Sequence, residues 1–458
     1  MKDYRSYSLW LDTYPGDLAP RPCLPGSTDV DVAVVGAGYT GLWSAYYLKK
    51  AEPKLRVCVI EKEIAGFGGS GRNGGWCSSF FAASHDNIAA RYGRDAAIAM
   101  QQAMYDVVDV VGRAVAEEGI ECDYRKGGAL IIAENPVELQ RVRDDVRYEH
   151  DWGFGEDDNV FLGAEAARGR INAATCLGGS YTPHCARLDP ARLARGLADV
   201  VEKLGVPIYE QTAALSVTPG HVETTHGTVR AETIVRAVEP WTVTLPGYER
   251  DVIPVYSLMI ATEPLPKAFW DEVGWAGDEV FSGGRHLVIY AMRTQDDRIA
   301  FGGRGAPYHM NSRLSDEFDR DPKVFAMHHR TLKKLFPALG DARITHQWGG
   351  PLGIPRDWMS SVGYDRPSGI AWAGGYVGDG VSNTNLAGRT IADLVVGNDT
   401  DITHLPWVNH RSRKWEPEPL RWLGVNLLTW SYAYADKRES RRGRPSKVAD
   451  IAGKILAR

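Results

Sequence analysis

The chain has 458 residues, 44% of them hydrophobic, and a formal net charge of −5. That length supports a large core and about two domains of roughly 100–200 residues each, and the acidic balance excludes a generally basic, nucleic-acid-binding surface. The six cysteines, Cys23, Cys58, Cys77, Cys122, Cys176 and Cys185, form no C-x-x-C pair or metal-ligand array, so reduced thiols, no metal and a cytoplasmic location are expected.

The first twenty residues lack the apolar segment of a secretory signal, and residues 11–28, rich in Pro, Gly and Asp, read as an irregular arm. Residues 30–35 are a short apolar, β-branched run, the pattern of a strand buried on both faces. Gly36, Gly38 and Gly41 then spell G-x-G-x-x-G, and residues 42–50 read as a helix. The run RVCVIEK is a second strand ending at Glu61, twenty residues beyond Gly41. Three glycines between strand and helix, with an acid at that distance, predict a dinucleotide site. Gly36 serves the tight turn, Gly38 the approach to the pyrophosphate and Gly41 the helix–strand packing, while Glu61 accepts from ribose hydroxyls.

Farther along, residues 86–120 and 136–150 have helical spacing and 127–134 read as a strand. Asp189 is an N-cap with Pro190 in the first turn of a helix. His184, just before it, reads as structural. Residues 252–265, 286–293 and 297–304 predict a second, largely antiparallel sheet. Residues 370–373 are a strand, 374–380 a glycine-rich turn, and Leu386, Ala387, Thr390, Ile391, Leu394 and Val395 one face of a helix ending at Gly397. From Arg411 on the chain turns basic, with 12 Lys and Arg against 5 Asp and Glu.

Six glycines fall within residues 66–75, five of them in the stretch FGGSGRNGG. Together with APRPCLPG, GAGYTGL, IATEPL, FGGR and GYVGDGVSNTNLAGR, this stretch resembles FAD-dependent oxidoreductases of the D-amino-acid oxidase type. The gamma-glutamylputrescine oxidase-like members are the nearest in look. The resemblance implies a mixed α/β (α+β) fold, with a glutathione-reductase-type FAD-binding Rossmann domain and an interleaved antiparallel-sheet substrate domain. It places the FAD domain at 29–85, 180–245 and 345–398, the substrate domain at 86–179 and 246–344, and a basic, Trp-containing extension at 399–458. Cofactor contacts are expected from Gly36, Gly38, Tyr39, Thr40, Gly41, Glu61, Lys62, Gly69, Ser70, Arg72, Asn73, Gly74, Gly75, Ala214, Gly375, Tyr376, Gly378, Gly380 and Val381. Backbone N–H groups from Gly378 to Val381, at a helix start, suit the negative charge of reduced flavin.

The family oxidises C–N bonds by hydride transfer to flavin N5, followed by imine hydrolysis and reoxidation, usually by O2 to H2O2. A small-molecule amine or N-substituted amino acid is the implied substrate. Relatives that oxidise amino acids carry a carboxylate-gripping arginine before the final strand; here Gly350 or Pro351 stands at that place. Arg293 and Arg304 on the second sheet are the remaining arginine candidates, and Tyr256, Met259, Tyr290 and Trp348 are expected pocket residues. Residues 70–75 lack the histidine that holds FAD covalently in some relatives, and Cys77 reads as a buried thiol, so FAD is expected to be noncovalent. Two other classes fit less of the chain. One is a membrane-peripheral dehydrogenase passing electrons to a quinone or partner protein, anchored by Trp407, Trp415, Trp422, Trp430 and the basic tail. The other is a flavin-binding protein without turnover.

Overall fold

A computed structural model describes residues 2–448, so the last ten residues of the basic extension lie outside the described residues. Val32, Ala33, Val34 and Val35 are each at most 2% exposed, as their apolar run requires. Their strand, Thr28–Val35, is the centre of an eight-stranded sheet. Val57–Ile60 and Gly227–Arg236 pair with it in parallel on either side. Ile370–Gly374 extends the sheet in parallel beyond Gly227–Arg236, and Ser361–Asp365 closes that edge antiparallel. Helices Tyr39–Ala51 and Gly380–Val396 cover this sheet. They meet closely because Gly388 has no side chain: a Cβ there would lie 2.7 Å from Trp43.

The second eight-stranded sheet runs Ile344–Pro355, Val252–Thr262, Ile299–Gly303, Ile289–Arg293, Val280–Gly283, Ala129–Ile132, Gly178–Thr182, Val160–Gly163. All its pairs are antiparallel except Val280–Gly283 with Ala129–Ile132. Side chains alternate across it with period two. Tyr256, Leu258, Ile260, Ile289, Ala291, Ile299 and Phe301 pack on one face, in a core with Val324, Phe325 and Leu332 of helix Pro322–Leu335. Met259, Ala261, Met292, Ala300 and Trp348 pack on the other, in a core with Trp10 and Phe67. Leu258, Phe301 and Leu332 are 0% exposed, each worth roughly 1.5–3 kcal/mol of apolar transfer.

The structure corrects several sequence boundaries. Residues 345–355 and 180–182, expected with the nucleotide sheet, hydrogen-bond into the second sheet. The helix expected over 86–120 is two, His85–Tyr92 and Arg94–Glu117, because Gly93 between them takes φ +90°. The four-tryptophan anchor does not form. Trp407 and Trp415 are buried, and the Trp415 indole N–H donates to the Ile354 carbonyl at 2.8 Å. Among the described residues no helix is long and apolar enough to cross a membrane. Cys23 is exposed and the other five cysteines are buried free thiols.

Candidate functional site

The turn from strand Thr28–Val35 into helix Tyr39–Ala51 is built on close backbone approach. A Cβ at Gly41 would lie 1.9 Å from the Gly36 carbonyl, so no other residue closes this turn. At Gly38 a Cβ would meet the Ser70 hydroxyl at 2.9 Å, and that hydroxyl accepts from the Tyr39 N–H at 2.8 Å. The glycine-rich loop is thereby tied to the helix N-terminus. The Glu61 carboxylate accepts from the Ala37 and Glu63 N–H groups, both at 2.8 Å. Burial pushes its pKa from 4.5 up to about 7, against the lowering effect of those two N–H groups. Lys62 is exposed on the turn beyond it. Ala214 lies two residues after Thr212, whose N–H donates to the Glu61 carbonyl, and packs against the same apolar cluster as Val238, which flanks Gly36.

Within the loop, Asn73 folds back, donating to Gly69 and Ser70 carbonyls and accepting from the Gly75 N–H. Trp10 and Trp348 brace it by donating to the carbonyls of Asn73 and Arg72. Gly74 leaves room for the Tyr290 ring, which a Cβ there would meet at 2.6 Å. The Arg72 guanidinium lies over Phe67 and pairs with Asp319 at 2.6 Å, out of solvent. Burial raises Asp319 to about 6, Arg72 opposing, and its second carboxylate oxygen has no hydrogen-bond partner.

The late turn meets the loop from the other side. The Thr40 hydroxyl and the phenol of Tyr376, both buried, share a hydrogen bond of 3.0 Å. Val377, although β-branched, sits at φ +60°, and Arg304 donates to its carbonyl at 2.6 Å. That is a strained backbone held by a half-buried guanidinium. Burial lowers the Arg304 pKa, with the Asp379 carboxylate opposing. Gly378 follows at φ +113°, and helix Gly380–Val396 presents its N-terminus there.

Close approaches of Gly38 to Ser70, Gly74 to Tyr290, and Gly378 to Arg304 and Leu352 join these pieces around one cleft. Gly38, Glu61, Gly69, Ser70, Asn73 and Gly74 on one side, and Val255, Ser257, Tyr290, Arg304, Gly350 and Leu352 on the other, retain partial accessibility although the residues around them are buried. Gly374, Gly378, Asp379 and Gly380 complete it. The cleft is lined by a helix N-terminus, the Glu61 carboxylate at the end of strand Val57–Ile60, backbone-rich glycine turns and a partly accessible aromatic ring. That donor set fits FAD. A separate cavity of about 300 Å³, between Trp10, Asp189, Arg192 and Met292, touches none of the glycine turns.

The structure brings together Tyr290, Arg304 and the glycine-rich segments, and leaves other expected pocket residues out. Tyr256 points to the far face and hydrogen-bonds the Ser315 backbone. Met259 and Trp348 are paired across the strands and fully packed. Arg293 is on the far face, bound to Asp297 at 2.6 Å and to the Trp275 carbonyl. His184 stacks on Tyr105 and pairs with Asp158. Cys77 lies in the core, its thiol pKa raised by burial.

Three residues escaped the sequence. Ser257, not Tyr256, faces the cleft and shares a 2.8 Å hydrogen bond with Tyr290. Its phase is hidden because VIPVYSLMIAT is apolar on both faces. Asp319 comes from the short helical turn Asp316–Asp319, distant in sequence. Glu239 accepts from the Gly353 and Tyr376 N–H groups at 2.8 and 2.9 Å, joining three segments at the cleft. Its only sequence signal is an acid directly after a buried strand.

Residues 31–394 match the family described as "FAD dependent oxidoreductase" (DAO). The chain is 31% identical over 408 residues to gamma-glutamylputrescine oxidoreductase of Escherichia coli, covering 86% of this chain and 91% of that protein. It is 29% identical over 391 residues to the probable oxidoreductase OrdL of Haemophilus influenzae, covering 83% and 86%. The structure of glycine oxidase from Geobacillus kaustophilus superposes with a TM-score of 0.70 at 20% identity, covering 84% of this chain and 99% of that one.

Proposed function

Because the chain belongs to this family of FAD-dependent oxidoreductases, we propose that it oxidises the C–N bond of an amine or N-substituted amino acid, with O2 as electron acceptor and H2O2 as product. Bound FAD supplies the acceptor for the hydride leaving the carbon next to the amine nitrogen, and water hydrolyses the resulting imine. Gly36, Gly38, Gly41 and Glu61 would hold the dinucleotide half, and residues 69–75 and 378–381 the ring. Tyr290, fixed by Ser257 and wedged against Gly74 and Gly302, shapes the substrate side of the cleft. The protein's part is to orient a neutral amine and keep bulk water off it; no triad is required.

The pairing of the arginines carries the substrate reading. Position 350 is glycine, and the nearest cation, Arg72, is neutralised by Asp319. Arg304, on the second sheet, gives one guanidinium N–H to the strained Val377 carbonyl. An α-carboxylate therefore finds no dedicated grip before the final strand. The name of the E. coli relative, gamma-glutamylputrescine oxidoreductase, supports an amine.

The test is an anaerobic panel of amines, N-methyl amino acids, glycine and D-amino acids, read by flavin bleaching, followed by O2 consumption with the best substrate. Arg304→Met is expected to slow every substrate alike, because it releases the turn at Val377. Glycine or D-amino acids outrunning every amine, with that activity selectively lost in Arg304→Met, would overturn the substrate reading.

A further inference from the structure

The C-terminal helix Leu420–Arg442 turns a row of large apolar side chains outward. Its inward face is mostly polar, with Trp422 and Val425 packed against Ile253, Tyr308, Ile354, Val377 and Trp415. Asn426 exchanges two hydrogen bonds of 3.1 Å with the Tyr308 backbone. Asp436 accepts from the His286 and Leu287 N–H groups, and Glu439 pairs with Arg141 at 2.8 Å. Its outward face carries Leu420, Leu423, Leu427, Trp430 and Tyr434, each 45–63% exposed. These are five of the nine exposed large hydrophobic side chains among the described residues.

The spacing of the five, three and four residues in turn, is that of a coiled-coil seam. The row is narrow. Gly424, Ser431 and Ala433 flank it, and Lys437 stands at its next position. A helix lying in a membrane interface presents a wider apolar face. The row is also complementary to itself when reversed about Leu427. Leu420 then faces Tyr434, Leu423 faces Ser431, and Gly424 faces Trp430, small against large. A Cβ at Gly424 would have nothing within 4 Å, so the socket is open. Half-exposed side chains of this size each leave on the order of 100 Å² to cover. A pair of helices would bury roughly 1,000 Å² in all, the lower limit of a specific interface.

We infer that this seam binds a second copy of the chain, the two helices antiparallel about a twofold axis at Leu427, so that the partner's Trp430 covers Gly424. Such an isologous contact closes at two subunits. Light scattering on the full-length, flavin-loaded protein should give twice 50.4 kDa. Leu427→Glu, which sets two carboxylates face to face on the axis, should give 50.4 kDa with flavin content and turnover unchanged. In a Cys23→Ser background, Leu427→Cys should form an intermolecular disulfide on mild oxidation, and Leu420→Cys should not. A monomeric wild type at micromolar concentration would overturn the inference, as would a dimer that survives Leu427→Glu. A dimer in which Leu427→Cys fails to crosslink, or a monomer that sediments with phosphatidylserine vesicles, would overturn it too.

Discussion

Glu239 offers the sharpest test of how the cleft is held together. It sits at φ +44° just past strand Gly227–Arg236, and its two oxygens take the N–H groups of Gly353, in strand Ile344–Pro355, and of Tyr376, in the turn after strand Ile370–Gly374. Burial pushes its pKa from 4.5 up to about 7, with the N–H groups of Tyr376, Gly353 and Gly375 working against the rise. The folded state therefore holds a proton that the unfolded chain has released. The stabilisation this brings is complete below about pH 4.5 and is lost as the pH rises through about 7. At 1.36 kcal/mol per pH unit the difference amounts to about 3 kcal/mol. Glu239→Gln cannot titrate, so it lacks that slope. Its amide must also turn an NH2 toward one of the two backbone donors, leaving an N–H unpaired at a cost of roughly 1–3 kcal/mol. Urea unfolding of the flavin-free protein between about pH 4.5 and 8 should show the variant weakest, relative to wild type, at the acid end. The gap should close or reverse toward pH 8 by about 3 kcal/mol. Stability curves of variant and wild type that run parallel across this range would refute the reasoning.

Gly38→Val should yield colourless or unstable protein, because the branched side chain enters the space between the helix N-terminus and Ser70; a flavin spectrum of normal intensity would contradict the assignment. Acid precipitation should release all flavin to the supernatant, since residues 70–75 lack histidine and Cys77 is buried in the core; flavin retained in the pellet and lost in Cys77→Ser would show a covalent link. Turnover with an alkylamine should rise from about pH 7 toward 9, as the neutral fraction of an amine with pKa of about 10.4 grows; a flat profile would mean that the ammonium form is the one bound and oxidised.

Local physics made part of this protein legible in the sequence. The strand–turn–helix at 30–50 could be read because strand burial, glycine spacing and a following acid are short-range constraints, and the folded turn has a 1.9 Å gap that only Gly41 tolerates. The glycine run at 66–75 and the turn at 374–380 were legible for the same reason: backbone that must come close to something cannot carry side chains. What the second sheet does could not be read, because phase in an apolar strand is set by what packs on each face. Tyr256 and Ser257 are neighbours in sequence, yet one enters a core and the other the cleft. Arg293 and Arg304 looked equivalent, and only packing sent one to Asp297 and the other to Val377. Glu239 and Asp319 acquire meaning from partners more than one hundred residues away. The tertiary structure decided these because side-chain direction, desolvation and charge pairing depend on neighbours that the linear order does not bring together.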